Sequence, residues 1–493
     1  MRERMGATLL VAYASAGLSQ VVNQLYFLLI FGYLSVETVG LYSWAIAIAT
    51  IYVYVMDLGL STFLMGELSE TPYDLRAVIR LILVVRAPAI VLGAVLLAAW
   101  SWLMRPAPAE MTVLALVTLA NVIQLVDLGL TPWFQVRQQQ NALNMINLVL
   151  PVCRFLGIGI AVLLGRQISI GFVAALVIGA QLISTAGFVT LALYQARGDQ
   201  RPFGQTPTVW QSVQRWRRRG PRLTAMYALM VLQARLDWLL VSILLSRVAL
   251  ANYSLANRVV EFAMLVAGVL ARTSFPWLSR NDADEPALRA RLALTRRVFA
   301  CFSALLGVGM FFWVPALIQI LFGDKYAGAE TTIRLMALIS AVFMLNQYLV
   351  YVIIARRRER EYIYLLFAAT VLQVAVDVAL LPRFGLVGAA LGMLAMGVVV
   401  HLGQLALCVR DHVIELGEAV RVDAFVLTSV AVVGIFWLSP AGPAVGSIVA
   451  LGVVGSVGGT LLLESGDRRL LWHYVVAMAG RLGSRPSRFG ANS

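Results

Sequence analysis

The sequence predicts an all-α polytopic membrane protein of about 14 transmembrane helices, and three observations support that prediction. Hydrophobic residues make up 60% of the 493-residue chain and charged residues only 13%, which gives a mean hydropathy of +0.83. Apolar runs of about 20 residues, each sufficient to cross a bilayer, recur from end to end. Basic residues collect in alternate loops between these runs. We therefore expect no sizeable soluble domain.

The apolar runs define the predicted spans in chain order, and their ends follow from where charged residues resume. The spans cover residues 7–33, 38–64, 77–103, 110–132, 142–165, 168–195, 222–246, 250–272, 297–322, 331–355, 361–381, 385–409, 424–439 and 443–463. The thirteenth is the shortest.

Positive charge is distributed unevenly over the loops. With the N-terminus in the cytoplasm, the cytoplasmic segments hold 29 of the 39 basic residues and the outer loops hold five. This positive-inside pattern predicts a cell (inner) membrane protein with both termini in the cytoplasm. Orientation and attraction to anionic headgroups account for the formal net charge of +14, so the basic loops indicate no nucleic-acid partner.

Repeated sequence predicts two six-helix lobes. The motif LYSWA at 41–45 opens the second span and NYSLA at 252–256 opens the eighth, both entering the membrane in the same direction. Such parallel repeats are typical of transporters. The predicted domains are an N-terminal lobe at 1–196, a basic cytoplasmic linker at 197–221, a C-terminal lobe at 222–410, two additional helices at 411–463 and a basic cytoplasmic tail at 464–493.

A second repeat places an aspartate at the cytoplasmic end of spans two and four. The pentapeptides are DLGLS at 57–61 and DLGLT at 127–131. One interpretation is a shared turn that ends each helix. The other is a cytoplasmic gate in which Asp57 and Asp127 pair across a cleft when the inner side is shut.

Five arginines lie within the predicted spans. They are Arg86, Arg154, Arg235, Arg258 and Arg334. An arginine in hydrocarbon costs at least about 2.5–3.5 kcal/mol and usually faces a protein interior or a water-filled cavity. Arg154 has no acid three or four residues away, so we expect it to line a cavity, and Arg235 is similar. Arg86 and Arg334 lie closer to the span ends and can reach the interface by snorkelling.

Polar side chains share helix faces with these arginines. Gln20, Asn23 and Gln24 form an amide-rich stripe on span one, which indicates either a wet surface or interhelical hydrogen bonding. Arg258 and Glu261 are three residues apart and can neutralise each other. The predicted substrate-binding residues are Arg154, Arg235, Arg258, Gln20, Asn23, Gln24 and Asn147. The predicted gating or ion-coupling residues are Asp57, Asp127, Asp237 and Glu261.

Motifs for enzyme chemistry are missing from the sequence. It contains no phosphate-binding P-loop, zincin helix or nucleophile elbow. The three cysteines lie far apart in apolar runs and indicate neither a disulfide framework nor a zinc site. His401, in a span, is interpreted as a satisfied packing residue. We therefore expect a transporter that is not an enzyme and needs no cofactor or metal.

Three stretches resemble the polysaccharide-biosynthesis transporters of the MOP flippase superfamily. They are GYLSVETVGLYSW…MDLGLSTFLMGELSE within 32–70, ANYSLANRVVEF…FPWLSR within 251–280 and LIQILFGDKYAGAETTIRLMAL at 317–338. That group includes flippases of O-antigen and exopolysaccharide repeat units. The lipid II flippase and the MATE drug exporters are more distant members. The resemblance covers essentially spans one to twelve.

The resemblance implies a two-lobed bundle working by alternating access on a polyprenyl-diphosphate-linked oligosaccharide. Its partners are then the lipid-linked substrate, the bilayer, and candidate assembly proteins such as a polysaccharide polymerase. Guanidinium groups suit the diphosphate because they bind it bidentately and keep their charge. Two alternatives stay open: a proton- or sodium-coupled multidrug or metabolite antiporter, and a membrane scaffold for a polysaccharide synthesis complex.

Overall fold

A computed structural model describes most of the chain as helices. The described residues are 2–70, 74–137, 139–198, 208–278, 285–356, 358–437, 443–458 and 462. Within these ranges the regular elements are all helical, which confirms the all-α prediction. The predicted tail at 464–493 lies outside the described residues.

The first half of the chain forms seven helices up to the predicted linker. They are α1 (Arg2–Tyr33), α2 (Val36–Met56), α3 (Leu60–Glu70), α4 (Leu75–Met104), α5 (Pro108–Val136), α6 (Gln140–Leu163) and α7 (Ile170–Gly198). The second half continues with α8 (Val209–Leu244), α9 (Arg247–Leu278), α10 (Glu285–Phe322), a 3-10 helix (Gly323–Ala329), α11 (Glu330–Ala355), α12 (Glu359–Phe384), α13 (Leu386–Arg410), α14 (Leu416–Trp437) and α15 (Pro443–Val457).

As far as its residues are described, each predicted span lies on one helix, except that the second is divided into α2 and α3. The last residues of the thirteenth and fourteenth spans lie outside the described residues. Nine stretches of the described residues are long and apolar enough to cross a membrane. The predicted linker is helical from Val209 onward, because Thr208 caps α8 by accepting a hydrogen bond from the backbone N–H of Gln211.

The first DLG motif ends a helix. Leu58 and Gly59 have φ angles of 52° and 63°, the left-handed region that favours glycine. The Asp57 carboxylate accepts hydrogen bonds from the hydroxyl of Ser61 at 2.7 Å and from its backbone N–H at 3.3 Å. A side chain that bonds its own local backbone competes with helix continuation. The helix-ending interpretation is therefore confirmed at 57–61.

The second DLG motif does not end a helix, so that interpretation is wrong at 127–131. Helix α5 runs through it to Val136. The Asp127 carboxylate accepts a hydrogen bond from Gln181 Nε2 of α7 at 2.7 Å. Because this carboxylate is engaged by a neighbouring helix, the local backbone keeps its helical bonds.

Replacement of Gly59 by alanine is expected to lower the free energy of unfolding by about 1–3 kcal/mol. The new Cβ would combine a left-handed φ with a position 2.7 Å from the backbone nitrogen of Thr224. Thermal unfolding in detergent measures the loss. Gly66→Ala is the matched control, because nothing lies within 4 Å of a Cβ there and alanine favours helix. Equal melting temperatures for the two variants would contradict the expectation.

The helices group into two compact units. Among the described residues, the larger unit comprises those up to Leu265 together with Pro315–Met336 and Glu359–Val400, and the smaller comprises Val266–Val314, Ala337–Arg358 and those from His401 onward. This grouping follows packing and divides several helices. The predicted boundaries of the six-helix lobes therefore stay a prediction.

In the larger unit, α1 packs along α6, α2 packs against α5 and α8, α5 packs against α7, and α8 packs against α12. One part of its core lies where α3, α4, α5 and α7 meet. Trp133, Phe134 and Phe188 are buried there, each at most 1% exposed. Burial of large aromatic side chains contributes much of the packing energy of such a core.

In the smaller unit, polar side chains join α10, α11, α13 and α14. Arg296, 1% exposed, pairs with Asp423 at 2.8 Å. His401 Nε2 lies 3.2 Å from the same carboxylate oxygen, and His401 Nδ1 lies 2.9 Å from Asn346 Oδ1. The interpretation of His401 as a satisfied packing residue is confirmed. This network attaches α14, the first of the two additional helices.

Candidate functional site

Two of the intramembrane arginines share one carboxylate. Glu261 of α9 accepts a hydrogen bond from Arg258 Nη1 at 2.6 Å and another from Arg235 Nη1 of α8 at 3.3 Å. The three side chains are 14–26% exposed. The predicted Arg258–Glu261 pair therefore forms, but it is not an isolated pair, because Arg235 binds the second carboxylate oxygen of Glu261.

Arg154 of α6 is connected to these groups through α1, which packs along α6 and whose Tyr26 interacts electrostatically with both Arg154 and Arg258. The hydroxyl of Ser19 on α1 donates to the backbone carbonyl of Asn147 on α6 at 3.1 Å. The Arg154 guanidinium carbon lies 5.9 Å from the ring centroid of Tyr26 on α1. Its Nε is buried without a hydrogen-bond partner. Among the described residues no carboxylate pairs with Arg154, so its charge is available to a ligand.

Aromatic rings support the other two guanidinium groups. The Arg258 guanidinium carbon lies 3.5 Å from the ring centroid of Phe27, and that of Arg235 lies 4.6 Å from the ring centroid of Trp238. Cation–π contacts of this kind favour a fixed orientation. Gln24, from the predicted amide stripe, lies close enough to Glu261 to interact with its carboxylate. Tyr26 and Phe27 were not among the predicted site residues, although both adjoin the amide stripe.

We call Arg154, Arg235, Arg258 and Glu261 the arginine cluster. Two of its guanidinium groups bind the Glu261 carboxylate, and the third, that of Arg154, interacts with Tyr26, as Arg258 does. The cluster therefore carries an excess of positive charge within apolar helices. Planar guanidinium groups bind phosphate bidentately and do not lose their proton. The arrangement therefore suits an anion with several acceptor oxygens.

The remaining predicted substrate-binding residues line α1 and α6. Gln20 and Asn147 are exposed, and Asn23 is half-buried. The interhelical hydrogen bond seen here uses the Ser19 hydroxyl and a backbone carbonyl. The amide side chains of Gln20 and Asn147 lie at the surface of their helices, and the role of the stripe stays a prediction.

A second cluster contains two buried carboxylates. Asp237 of α8 is 2% exposed and accepts a hydrogen bond from the Tyr253 hydroxyl at 2.6 Å. Asp377 of α12 is fully buried, and both of its carboxylate oxygens lack a hydrogen-bond partner. The two carboxylates interact electrostatically, and the buried amide of Gln373 beside Asp377 is also without a partner. We call Asp237, Gln373 and Asp377 the carboxylate cluster.

The carboxylate cluster is tightly enclosed. Gly392 of α13 lies against Asp377, and a Cβ at that position would collide with the carboxylate. Burying an unpaired carboxylate is costly unless a cation or a proton accompanies it. Asp377, on the same face of its span as Gln373, was not among the predicted site residues.

Asp57 and Asp127 are engaged within the predicted N-terminal lobe. Arg86 of α4, 2% exposed, pairs with Asp57 and also donates to the backbone carbonyl of Leu125. The prediction that Arg86 snorkels is therefore wrong, because a buried partner holds it inside. Asp127 bonds Gln181 and keeps one buried oxygen without a partner. Neither aspartate forms the predicted pair across a cleft in this structure.

At the predicted outer end, contacts join the two halves of the repeat. The Ser43 hydroxyl donates to that of Ser254 at 3.0 Å, and these serines occupy equivalent places in LYSWA and NYSLA. The Lys325 ammonium group donates to the carbonyls of Phe31, Gly32 and Leu34 at 2.6–2.8 Å. These bonds satisfy the last carbonyls of α1.

The fifth intramembrane arginine, Arg334, lies on α11. Arg334 pairs with Glu330 on its own helix at 2.7 Å. In the part of the chain that the structure describes, no group of three or more histidine, cysteine or acidic side chains could hold a metal ion.

Comparisons with known proteins agree with this architecture. A family model described as "Polysaccharide biosynthesis protein" matches residues 32–331. The structure of the lipid II flippase MurJ in an inward closed conformation superimposes with a TM-score of 0.69 at 12% identity, covering 92% of this chain and 100% of that one. No curated protein sequence matches the chain.

Two MATE transporters share the fold as well. The eukaryotic transporter AtDTX14 gives a TM-score of 0.57 at 14% identity and covers 90% of this chain and 98% of its own. An inward-facing multidrug resistance transporter of the MOP superfamily gives 0.59 at 11% identity and covers 84% of this chain and 98% of its own. At such identities the likeness establishes the fold.

Proposed function

Because the chain belongs to the polysaccharide biosynthesis protein family, we propose that it is a flippase for polyprenyl-diphosphate-linked oligosaccharide repeat units. It moves them from the cytoplasmic to the outer leaflet by alternating access, in the biosynthesis of a surface polysaccharide. The observation that carries the proposal is the arginine cluster: three guanidinium groups, one of them without an acidic partner among the described residues, inside a membrane-spanning bundle.

The diphosphate is the part of the cargo that the arginine cluster binds. Arg154, Arg235 and Arg258 offer forked donors to its oxygens, and charge-assisted bonds of this type are roughly twice as strong as neutral ones. Partial burial strengthens them further, because the local dielectric is lower than that of water. Glu261 balances part of the charge when the cargo is absent.

The sugars and the lipid tail have separate places. The amide side chains of Gln20, Asn23, Gln24 and Asn147 can exchange hydrogen bonds with sugar hydroxyls, since each amide both donates and accepts. The prenyl tail stays in the hydrocarbon of the bilayer, because leaving it would expose apolar surface to water. The protein therefore carries only the polar part of the cargo across.

The carboxylate cluster supplies ion coupling in this proposal. Asp377, with two unpartnered oxygens, and Asp237 form a place for a proton or a small cation. Uptake and release of that ion change the charge inside the bundle and so bias one lobe arrangement over the other. Asp57 and Asp127 act within the N-terminal lobe, and the unpartnered oxygen of Asp127 makes it a second protonation site.

Asp377→Asn is expected to remove the dependence of transport on an ion gradient. Coupling free energies of about 1–3 kcal/mol correspond to changes of about 5- to 150-fold. The gradient-driven transport rate should therefore decrease by a factor in that range. Transport in proteoliposomes with and without an imposed gradient measures it. Asp324→Asn, at an exposed position, is the matched control. Full gradient dependence in Asp377→Asn would rule out coupling at this cluster.

The second candidate function is a proton- or sodium-coupled multidrug or metabolite antiporter. The carboxylate cluster and the fold shared with MATE transporters favour it. The arginine cluster disfavours it for cationic cargo, because three guanidinium groups repel a cation. A scaffold without transport is disfavoured by the same buried charges, which are costly in a membrane and unnecessary for assembly alone. A polysaccharide polymerase is a proposed partner under the flippase function.

A deletion strain tests the proposed function. We expect a polyprenyl-diphosphate oligosaccharide to accumulate, detectable by mass spectrometry of extracted lipids, with its sugar reachable only from the cytoplasmic side. The wild-type chain should restore the normal pool. An unchanged pool with intact export of glycan would favour the antiporter, for which drug and ion gradients are then measured.

A further inference from the structure

We propose that Glu261 is an internal anion that occupies the arginine cluster when no cargo is bound and competes with the diphosphate of the cargo for it. This inference rests on the proposed function, since it concerns how that site binds and releases its substrate. Glu261 is thus a specificity- and turnover-determining residue, in addition to being a counter-ion.

The geometry of Glu261 is that of a bridging ligand. Its two carboxylate oxygens each bind a different arginine, Arg258 through Oε2 and Arg235 through Oε1. The two arginines come from neighbouring helices, α9 and α8. A phosphate group would use its oxygens in the same way, because guanidinium forks bind carboxylate and phosphate with similar geometry. Glu261 therefore occupies positions that the diphosphate needs.

The arginines are held in place independently of Glu261. Phe27 lies under Arg258 and Trp238 lies beside Arg235. When the carboxylate leaves, these rings still orient the guanidinium groups. Glu261 itself is 26% exposed and lies close enough to Gln24 of α1 to interact with its amide, so a polar group remains beside it when it releases the arginines.

The exchange of Glu261 for the diphosphate on the arginines, and its reversal, both depend on charge. A carboxylate brings one negative charge, whereas a diphosphate brings more charge and more acceptor oxygens, so the cargo displaces Glu261 on entry. Arg154, which lacks a carboxylate partner among the described residues, gives the cargo a first contact. On release, Glu261 returns to Arg235 and Arg258 and lowers the net affinity for the diphosphate. Very tight binding would slow turnover.

Binding of inorganic pyrophosphate to the purified full-length protein in nanodiscs tests the inference. Glu261→Gln keeps the shape of the side chain and removes its charge. We expect its affinity for pyrophosphate to exceed that of wild type at least about tenfold, which matches the contribution of one hydrogen bond to a charged group. Glu261→Asp shortens the carboxylate, so that it cannot bridge both arginines, and should give an intermediate affinity.

Glu110→Gln is the matched control, because it removes the same charge from a pair with Arg247 outside the cluster. Its pyrophosphate affinity should equal that of wild type. Unchanged or weaker binding by Glu261→Gln would overturn the inference, because the carboxylate then only positions the arginines. If Glu261→Gln does not fold, unchanged binding by Glu261→Asp overturns it equally. An absence of pyrophosphate binding by wild type and all variants overturns the proposed function instead.

Discussion

Arg154→Ala is expected to reduce export of the lipid-linked oligosaccharide at least about tenfold while leaving the protein folded and inserted. A hydrogen bond to a charged group contributes about 1.5–3 kcal/mol, and a guanidinium can make two such bonds to the diphosphate. The fold loses little, because the Arg154 side chain has no carboxylate partner among the described residues and its contact with Tyr26 is long, at 5.9 Å. Complementation of a deletion strain measures the loss.

Arg334→Ala is the control for this prediction. It removes an arginine that also lies in a predicted span, but its partner is Glu330 on the same helix. Export should stay close to wild type in that variant. Normal export by well-expressed Arg154→Ala would remove Arg154 from the binding site, and equal losses in both variants would indicate a general effect of charge on insertion.

Asp57→Ala is expected to lower the free energy of unfolding by about 3–5 kcal/mol, the cost of leaving one member of a buried ion pair alone. Arg86, 2% exposed, would keep its hydrogen bonds to Ser61 and the Leu125 carbonyl but lose its counter-charge in a membrane interior. Denaturation in detergent, followed by tryptophan fluorescence, measures the change.

The double replacement Asp57→Leu with Arg86→Leu separates pairing from gating. Without either charge, much of the lost stability should return, because apolar residues of similar volume replace a buried pair at little cost. Glu110→Ala breaks the partly exposed pair with Arg247 and should cost less than about 1 kcal/mol. A wild-type unfolding curve for Asp57→Ala would show that the pair does not hold α2, α3 and α4 together.

The spans could be predicted from the sequence because the bilayer imposes a length on every apolar run. The positions of the arginines were informative for the same reason, since a charge in an apolar run stands out. Glu261 binds Arg235 and Arg258 across α8 and α9, and Arg154 of α6 is linked to them through Tyr26 of α1. The sequence could not show that Glu261 bridges two arginines, because the second partner comes from another helix.

The errors have a common physical cause: the partner of each side chain lies on a neighbouring helix. The two DLG motifs have nearly the same sequence, yet Asp57 caps a turn, whereas Asp127 accepts a hydrogen bond from Gln181 of a neighbouring helix. Arg86 was expected at the interface and is buried against Asp57. Asp377 became a site residue only because α12 packs on α8 and places it beside Asp237.

The central claim is that this protein moves a diphosphate-linked oligosaccharide across the membrane, and transport by the purified protein in liposomes tests it most directly. The liposomes contain a short-chain polyprenyl-diphosphate oligosaccharide, and a membrane-impermeant glycosidase reports the fraction of sugar on the outer face over time. We expect the wild-type protein to re-expose sugar from the inner leaflet and Arg154→Ala to do so at least about tenfold more slowly. Rates for wild type equal to those of protein-free liposomes would contradict the claim.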